Sequence, residues 1–71
     1  MAKSVYKVIE LIGTSPRSWE EAAANAVATA SKSLRDLRIA EVVEMDMQIG
    51  EGKVVNYRTK INLSFKYEGS G

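Results

Sequence analysis

Apolar and polar positions alternate most regularly toward the end of the chain. Val55, Tyr57, Thr59, Ile61, Leu63, Phe65 and Tyr67 are interleaved with Asn56, Arg58, Lys60, Asn62, Ser64 and Lys66. A period of two with one apolar side predicts a strand with one buried face. The preceding stretch, Ile39 to Gln48, is rich in Val, Ile and Met, with Glu41, Glu44 and Asp46 set among them. It predicts a second strand. Ile49-Gly50-Glu51-Gly52-Lys53 joins the two, since its glycines tolerate positive φ. The result is one long hairpin from Ile39 to Tyr67. A strict period of two puts Glu44 and Asp46 on one face and Glu41 on the other.

Ahead of the hairpin, Ser4 to Ile12 predicts a first strand, with β-branched Val5, Val8, Ile9 and Ile12. Gly13-Thr14-Ser15-Pro16 is expected to end it. Ser18, with Glu21 three residues later, fits a capping box in which each side chain satisfies a backbone N–H. The helix it opens is expected from Trp19 to Leu37. Trp19, Ala23, Ala26, Val27, Ala30, Leu34 and Leu37 form its stripe, with Lys32, Arg35 and Arg38 near its negative end. Glu68-Gly69-Ser70-Gly71 reads as a frayed tail. The order is β-α-β-β, an α+β arrangement. If the sheet is antiparallel, the helix returns the chain so that the third strand lies in the middle.

The hairpin is too long for a compact chain of 71 residues. Its second strand alone spans roughly 45 Å when extended, against a globule roughly 30 Å across. The helix stripe is mostly alanine, which buries little area. Single domains below about 70–80 residues rarely stabilise themselves by core burial alone. Residues 1–71 are therefore expected to form one domain that self-associates. There is no cysteine for a disulfide or thiolate metal site, and no histidine for the commonest general base. Ten basic and nine acidic residues leave a formal charge of +1, which gives no electrostatic case for nucleic acid or membrane. The start of the chain has no long apolar run, and the expected compartment is the cytoplasm.

Few residues suggest chemistry. Trp19, the single tryptophan, is either a stacking platform or, as its place at the helix start favours, a plug against the sheet. Glu41, Glu44 and Asp46 are an acidic group. Calcium takes about 6–8 oxygens, many from carboxylates. One subunit offers too few, but a symmetry axis multiplies them. The ordinary reading is cross-strand pairing with Arg58 and Lys60. Arg58, Lys60 and Lys66 make the polar face of the last strand basic and suited to an anion. Asp46-Met47-Gln48-Ile49-Gly50 lacks the acidic spacing of an EF-hand loop. Asn62-Leu63-Ser64 matches a glycosylation sequon with no secretory signal to make it meaningful.

Taken together, Gly13-Thr14-Ser15-Pro16, Ser18-Trp19-Glu20-Glu21-Ala22, Leu34-Arg35-Asp36-Leu37-Arg38, Glu41-Val42-Val43-Glu44 and Tyr57-Arg58-Thr59 through Phe65 resemble the dodecin family. The resemblance covers almost the whole chain. It implies a β-α-β-β subunit whose three-stranded antiparallel sheet wraps round one helix, assembled into a hollow dodecamer. It also implies flavins held between subunits by a tryptophan at the start of the second strand and a glutamine in the third. Here those positions are Ile39 and Arg58. Ile39 has no π surface, and stacking is worth roughly 0.5–1.5 kcal/mol beyond burial. Arg58 only donates hydrogen bonds. The former flavin pocket is thus expected to be lost.

The overall pattern resembles the calcium-binding, non-flavin branch, which implies calcium as the ligand. Glu44 matches a carboxylate position that contacts divalent cations in the flavin-binding members of the dodecin family. Asp46 follows two residues on, and these two are the expected metal ligands. The expectation is a non-catalytic cage that binds or stores calcium. The alternatives are a remodelled flavin site, or a structural assembly whose ions are incidental.

Overall fold

The computed structural model describes residues 4–67. The elements follow in the expected order: β1 (Tyr6–Ser15), α1 (Trp19–Ala30), β2 (Leu37–Gly50) and β3 (Lys53–Lys66). The sheet is antiparallel with strand order β1-β3-β2, so the regularly alternating strand is central. Helix α1 packs on one face. Thr59, Ile61 and Leu63 of β3 and Ser15 of β1 are buried beneath it, against Ala22, Ala26 and Ala30. This core is small, as an alanine stripe dictates. The tail Glu68 to Gly71 lies outside the described residues.

β1 does not stop at Gly13. It continues through Ser15, with Gly13 paired to Thr59 and Ser15 to Tyr57. Gly13 serves close approach and does not break the strand. A Cβ there would overlap the carbonyl oxygen of Ala22 and meet the Ala26 Cβ at 3.0 Å. The helix lies directly on the strand at this point. Trp19 plugs its first turn: the indole Nε1 donates to the Asp46 carbonyl at 2.9 Å. Its ring meets Tyr57 edge to face, with centroids 5.0 Å apart.

The helix is shorter than its apolar spacing suggests, ending at Ala30 instead of Leu37. Past Ala30 the bonds tighten. Lys32 N donates to Thr29 O, Ser33 N to Ala30 O, and the Ser31 hydroxyl to Ala28 O. Asp36 then adopts a φ of 58° and turns the chain into β2. Serines at 31 and 33 compete for backbone groups and favour such an exit. Lys32, Arg35 and Arg38 therefore lie beyond the helix and do not cap it. At the other end only half of the capping box forms. Ser18 Oγ accepts from Glu21 N at 3.0 Å. The Glu21 carboxylate bonds the Ser15 hydroxyl and Arg17 Nε instead.

The hairpin turn is tight. Gly50 pairs with Lys53, leaving Glu51 and Gly52 at φ 52° and 74°. Two positive φ values mark a type I′ turn, whose twist suits a hairpin. The strands run the full length of the molecule, which measures 56 × 20 × 15 Å. Its radius of gyration is 14.8 Å, against about 11 Å for a compact chain of this size.

β2 departs from regular pairing in three places, Leu37/Ile39, Val42/Glu44 and Gln48/Ile49. The second shift leaves Val43 as an extra residue. Glu41 stands opposite Asn62, Glu44 opposite Lys60 and Asp46 opposite Arg58. Cross-strand partners share a face. Glu41 is therefore on the same outer face as Glu44 and Asp46, which corrects the assignment made from a strict period of two. A bulge adds one residue and restores the phase on the far side.

Candidate ligand-binding face

The middle of the sheet face away from α1 is mostly polar, with Ile12 set among its charged and amide side chains. One row reads Glu10, Asn62, Glu41; the next Ile12, Lys60, Glu44; the third Thr14, Arg58, Asp46. The alternation of β3 puts its basic residues here, and the bulge in β2 aligns the acidic ones beside them. Arg58 holds Asp46 in a two-pronged pair, Nε to Oδ1 at 2.7 Å and the second nitrogen to Oδ2 at 2.9 Å. Lys60 Nζ lies 3.2 Å from Glu44 Oε1. The hydrogen bonds from Arg58 hold the Asp46 carboxyl below its ordinary range, with a smaller opposing effect of burial. The bond to Glu44 raises the Lys60 ammonium above its ordinary value.

The two expected metal ligands are thus brought together on one face, each in the cross-strand ion pair that charge alternation implies. Among the described residues no group of three or more Asp, Glu, His or Cys side chains closes into a metal cage. Glu41 and Glu10, flanking Asn62, complete the acidic surface. The shift in phase at Val42-Val43 was the signal for Glu41: polar positions fall at 41, then 44, 46 and 48. Glu10 follows only from the β1–β3 register.

Ile39 and Arg58 are not brought together. Both lie on the outer face, but Ile39 is opposite Ser64, six residues from Arg58 along β3, or roughly 20 Å. Ile39 is 65% exposed. Arg58 is committed to Asp46.

The other notable surface is β2 itself. The helix covers β1 and β3 but barely reaches it. Val42, Met45 and Met47 stand opposite Ile61, Thr59 and Tyr57, so they project on the helix side. All three are about half exposed or more. A strand with apolar residues on its uncovered face is unfinished burial.

Such a chain belongs among small open-sheet α+β subunits, one helix on a three-stranded antiparallel sheet. A dodecin family profile matches residues 5–68, and the chain belongs to the dodecin family. It is 54% identical over 63 residues to the calcium dodecin of Mycobacterium tuberculosis, covering 89% of each chain. A solved structure of that calcium dodecin, described as calcium chelating with a novel calcium-binding site, superposes with a TM-score of 0.83. The match covers 96% of this chain and 97% of that one. The dodecin from Streptomyces coelicolor superposes with a TM-score of 0.92 at 38% identity, over 99% of this chain and all of that one. The dodecin of Thermus thermophilus is 42% identical over 64 residues, 90% of this chain and 93% of that protein.

Proposed function

We propose that this protein binds and stores a small ligand, calcium and not flavin, as a hollow dodecamer without catalytic activity. The observation that carries this reading is the acidic column Glu41, Glu44 and Asp46 on an edge strand. An edge strand is where a second copy adds ligands, and calcium needs more oxygens than one column offers. The similarity to a calcium dodecin supports the choice of ion. The uncovered apolar side of β2 supports assembly, because burying it supplies the stability that the alanine core lacks.

Glu44 and Asp46 are the proposed ligands, joined by Glu41. Their ion pairs are exposed, and such pairs contribute little, so a divalent ion can displace Lys60. The two-pronged Arg58–Asp46 pair is the harder to open. Flavin is disfavoured by an aliphatic Ile39 and by an arginine that is already paired with Asp46.

Calcium titration calorimetry on the assembled protein tests this reading. The wild type is expected to bind. The Glu44→Gln, Asp46→Asn double variant is expected to lose binding while sedimenting as the wild type does. Unchanged calcium uptake in that variant would sink the assignment of these ligands. Riboflavin that binds with fluorescence quenching at micromolar concentration would sink the exclusion of flavin.

The ion pairs favour a second reading, a structural assembly in which Glu44 and Asp46 are already paired and any ions are incidental. The two separate by melting the protein against calcium concentration, since a ligand stabilises by mass action according to its affinity.

A further inference from the structure

Two methionines of β2 share a side of the sheet with the single tryptophan. Met45 and Met47 stand opposite Thr59 and Tyr57, with no register shift between them. Both therefore project on the helix side, roughly 7 Å apart along the strand. They are 58% and 45% exposed, so their thioethers are not part of the subunit's own core.

Trp19 reaches the same place from the first turn of α1. Its indole Nε1 donates to the carbonyl of Asp46, the residue between the two methionines, at 2.9 Å. Its ring meets that of Tyr57, the cross-strand partner of Met47, with centroids 5.0 Å apart and planes at 73°. The Thr59 hydroxyl, opposite Met45, donates to the Trp19 carbonyl at 2.9 Å. These three contacts fix an aromatic wall against the strand that carries both thioethers.

The chemistry of such a group is narrow. Thioethers are neutral and polarisable, and they select soft cations such as cuprous ion. They offer nothing to calcium, which takes hard oxygen ligands. An unbranched side chain with three rotatable bonds lets two sulfurs from alternate positions turn toward one ion, and monovalent d10 ions need few ligands. The aromatic rings add attraction for a cation over their faces. Glu44 and Asp46 project on the other side of the sheet, where Lys60 and Arg58 hold them. The chain has no cysteine or histidine to draw a soft ion elsewhere.

We propose that Met45 and Met47, walled by Trp19 and Tyr57, form a binding site for a soft monovalent cation, cuprous or silver ion. The two sulfurs ligate the ion and the rings shield it. Covering this side of β2 in an assembly is compatible with the site, because an apolar surround excludes water from a bound metal. The site uses different residues from the acidic column and the opposite face, so it stands or falls independently of the calcium reading.

Silver nitrate, titrated into the protein as it assembles in chloride-free and thiol-free buffer, tests the proposal by calorimetry and by tryptophan fluorescence. Trp19 is the single tryptophan, so quenching reports an ion beside it. Silver is expected to bind and to quench, and excess calcium is expected not to displace it. The Met45→Leu, Met47→Leu double variant keeps apolar side chains of similar volume. It is expected to lose the quenching, with affinity lowered at least about tenfold, since losing a group that only orients a metal ligand already costs about 10–100-fold. Met47→Leu alone serves if the double variant fails to assemble, and is expected to weaken the quenching. The Glu44→Gln, Asp46→Asn double variant is expected to bind silver as the wild type does. No quenching at sub-millimolar silver would overturn the proposal. So would quenching of undiminished affinity in the methionine variants.

Discussion

Gly13 shows how one residue sets the distance between two layers. Its neighbours leave no room for a methyl group on the side facing Ala22. Overpacking usually costs about 1–3 kcal/mol, and here the obstacle is backbone. Gly13→Ala is expected to lose about 3 kcal/mol or more, read as a lowered melting temperature. A melting temperature within a degree or two of wild type would mean the helix shifts freely on β1. Charged residues act at the same scale. The Asp46 carboxyl is lowered by Arg58, and the Glu21 carboxyl by Arg17 and then Ser15. A depressed carboxyl stabilises the fold above its unfolded value, and the contribution disappears as pH falls through its folded value. Lys60, raised chiefly by its bond to Glu44, contributes below the ordinary lysine value and is lost only above it. Thermal melts are therefore expected to be flat from about pH 5 to about pH 9 and to fall below about pH 4. Asp46→Asn should make that acid limb shallower. An acid limb of undiminished depth would assign it to other carboxylates.

At the scale of elements, the hairpin carries the architecture and its turn carries strain. Glu51 occupies the first position of a type I′ turn at φ 52°, where asparagine is preferred. Glu51→Asn is expected to stabilise the protein by about 0.5–1 kcal/mol, measurable by urea unfolding. A loss of stability would show that the Glu51 side chain has a role beyond the turn. The three irregularities in β2 act in another way. They twist and interrupt an edge that would otherwise offer a long, flat template for another strand. The bulge at Val43 also sets the acidic column, so one inserted residue protects the edge and positions the carboxylates.

The molecule as a whole is a thin lath, 56 Å long and 15 Å thick. Its core is made of alanines and a few residues of β1 and β3, while β2 is exposed over nearly its whole length. Val42 is 51% exposed in the single chain, so a charge there spares the subunit's own core. If β2 is the contact surface of the proposed assembly, Val42→Glu is expected to leave the secondary structure intact and make the protein sediment as a small species. A variant that sediments as a full-sized shell would place the contact surface elsewhere.

The order of elements, the central place of β3 and its buried face were all legible in the sequence. Strand alternation and helix caps are local, and burial reinforces them along the chain. The excess length of the hairpin was legible too, because rise per residue is fixed by covalent geometry. Where the helix ends was not, since Leu34 and Leu37 keep helical spacing although the backbone has already left the helix. Gly13 was read as a break because a contact with Ala22 across the layer leaves no mark on its immediate neighbours. The meeting of Glu10 with Glu41 across Asn62 depends on register. Register is decided by pairing between distant segments, and only the folded sheet brings those segments side by side.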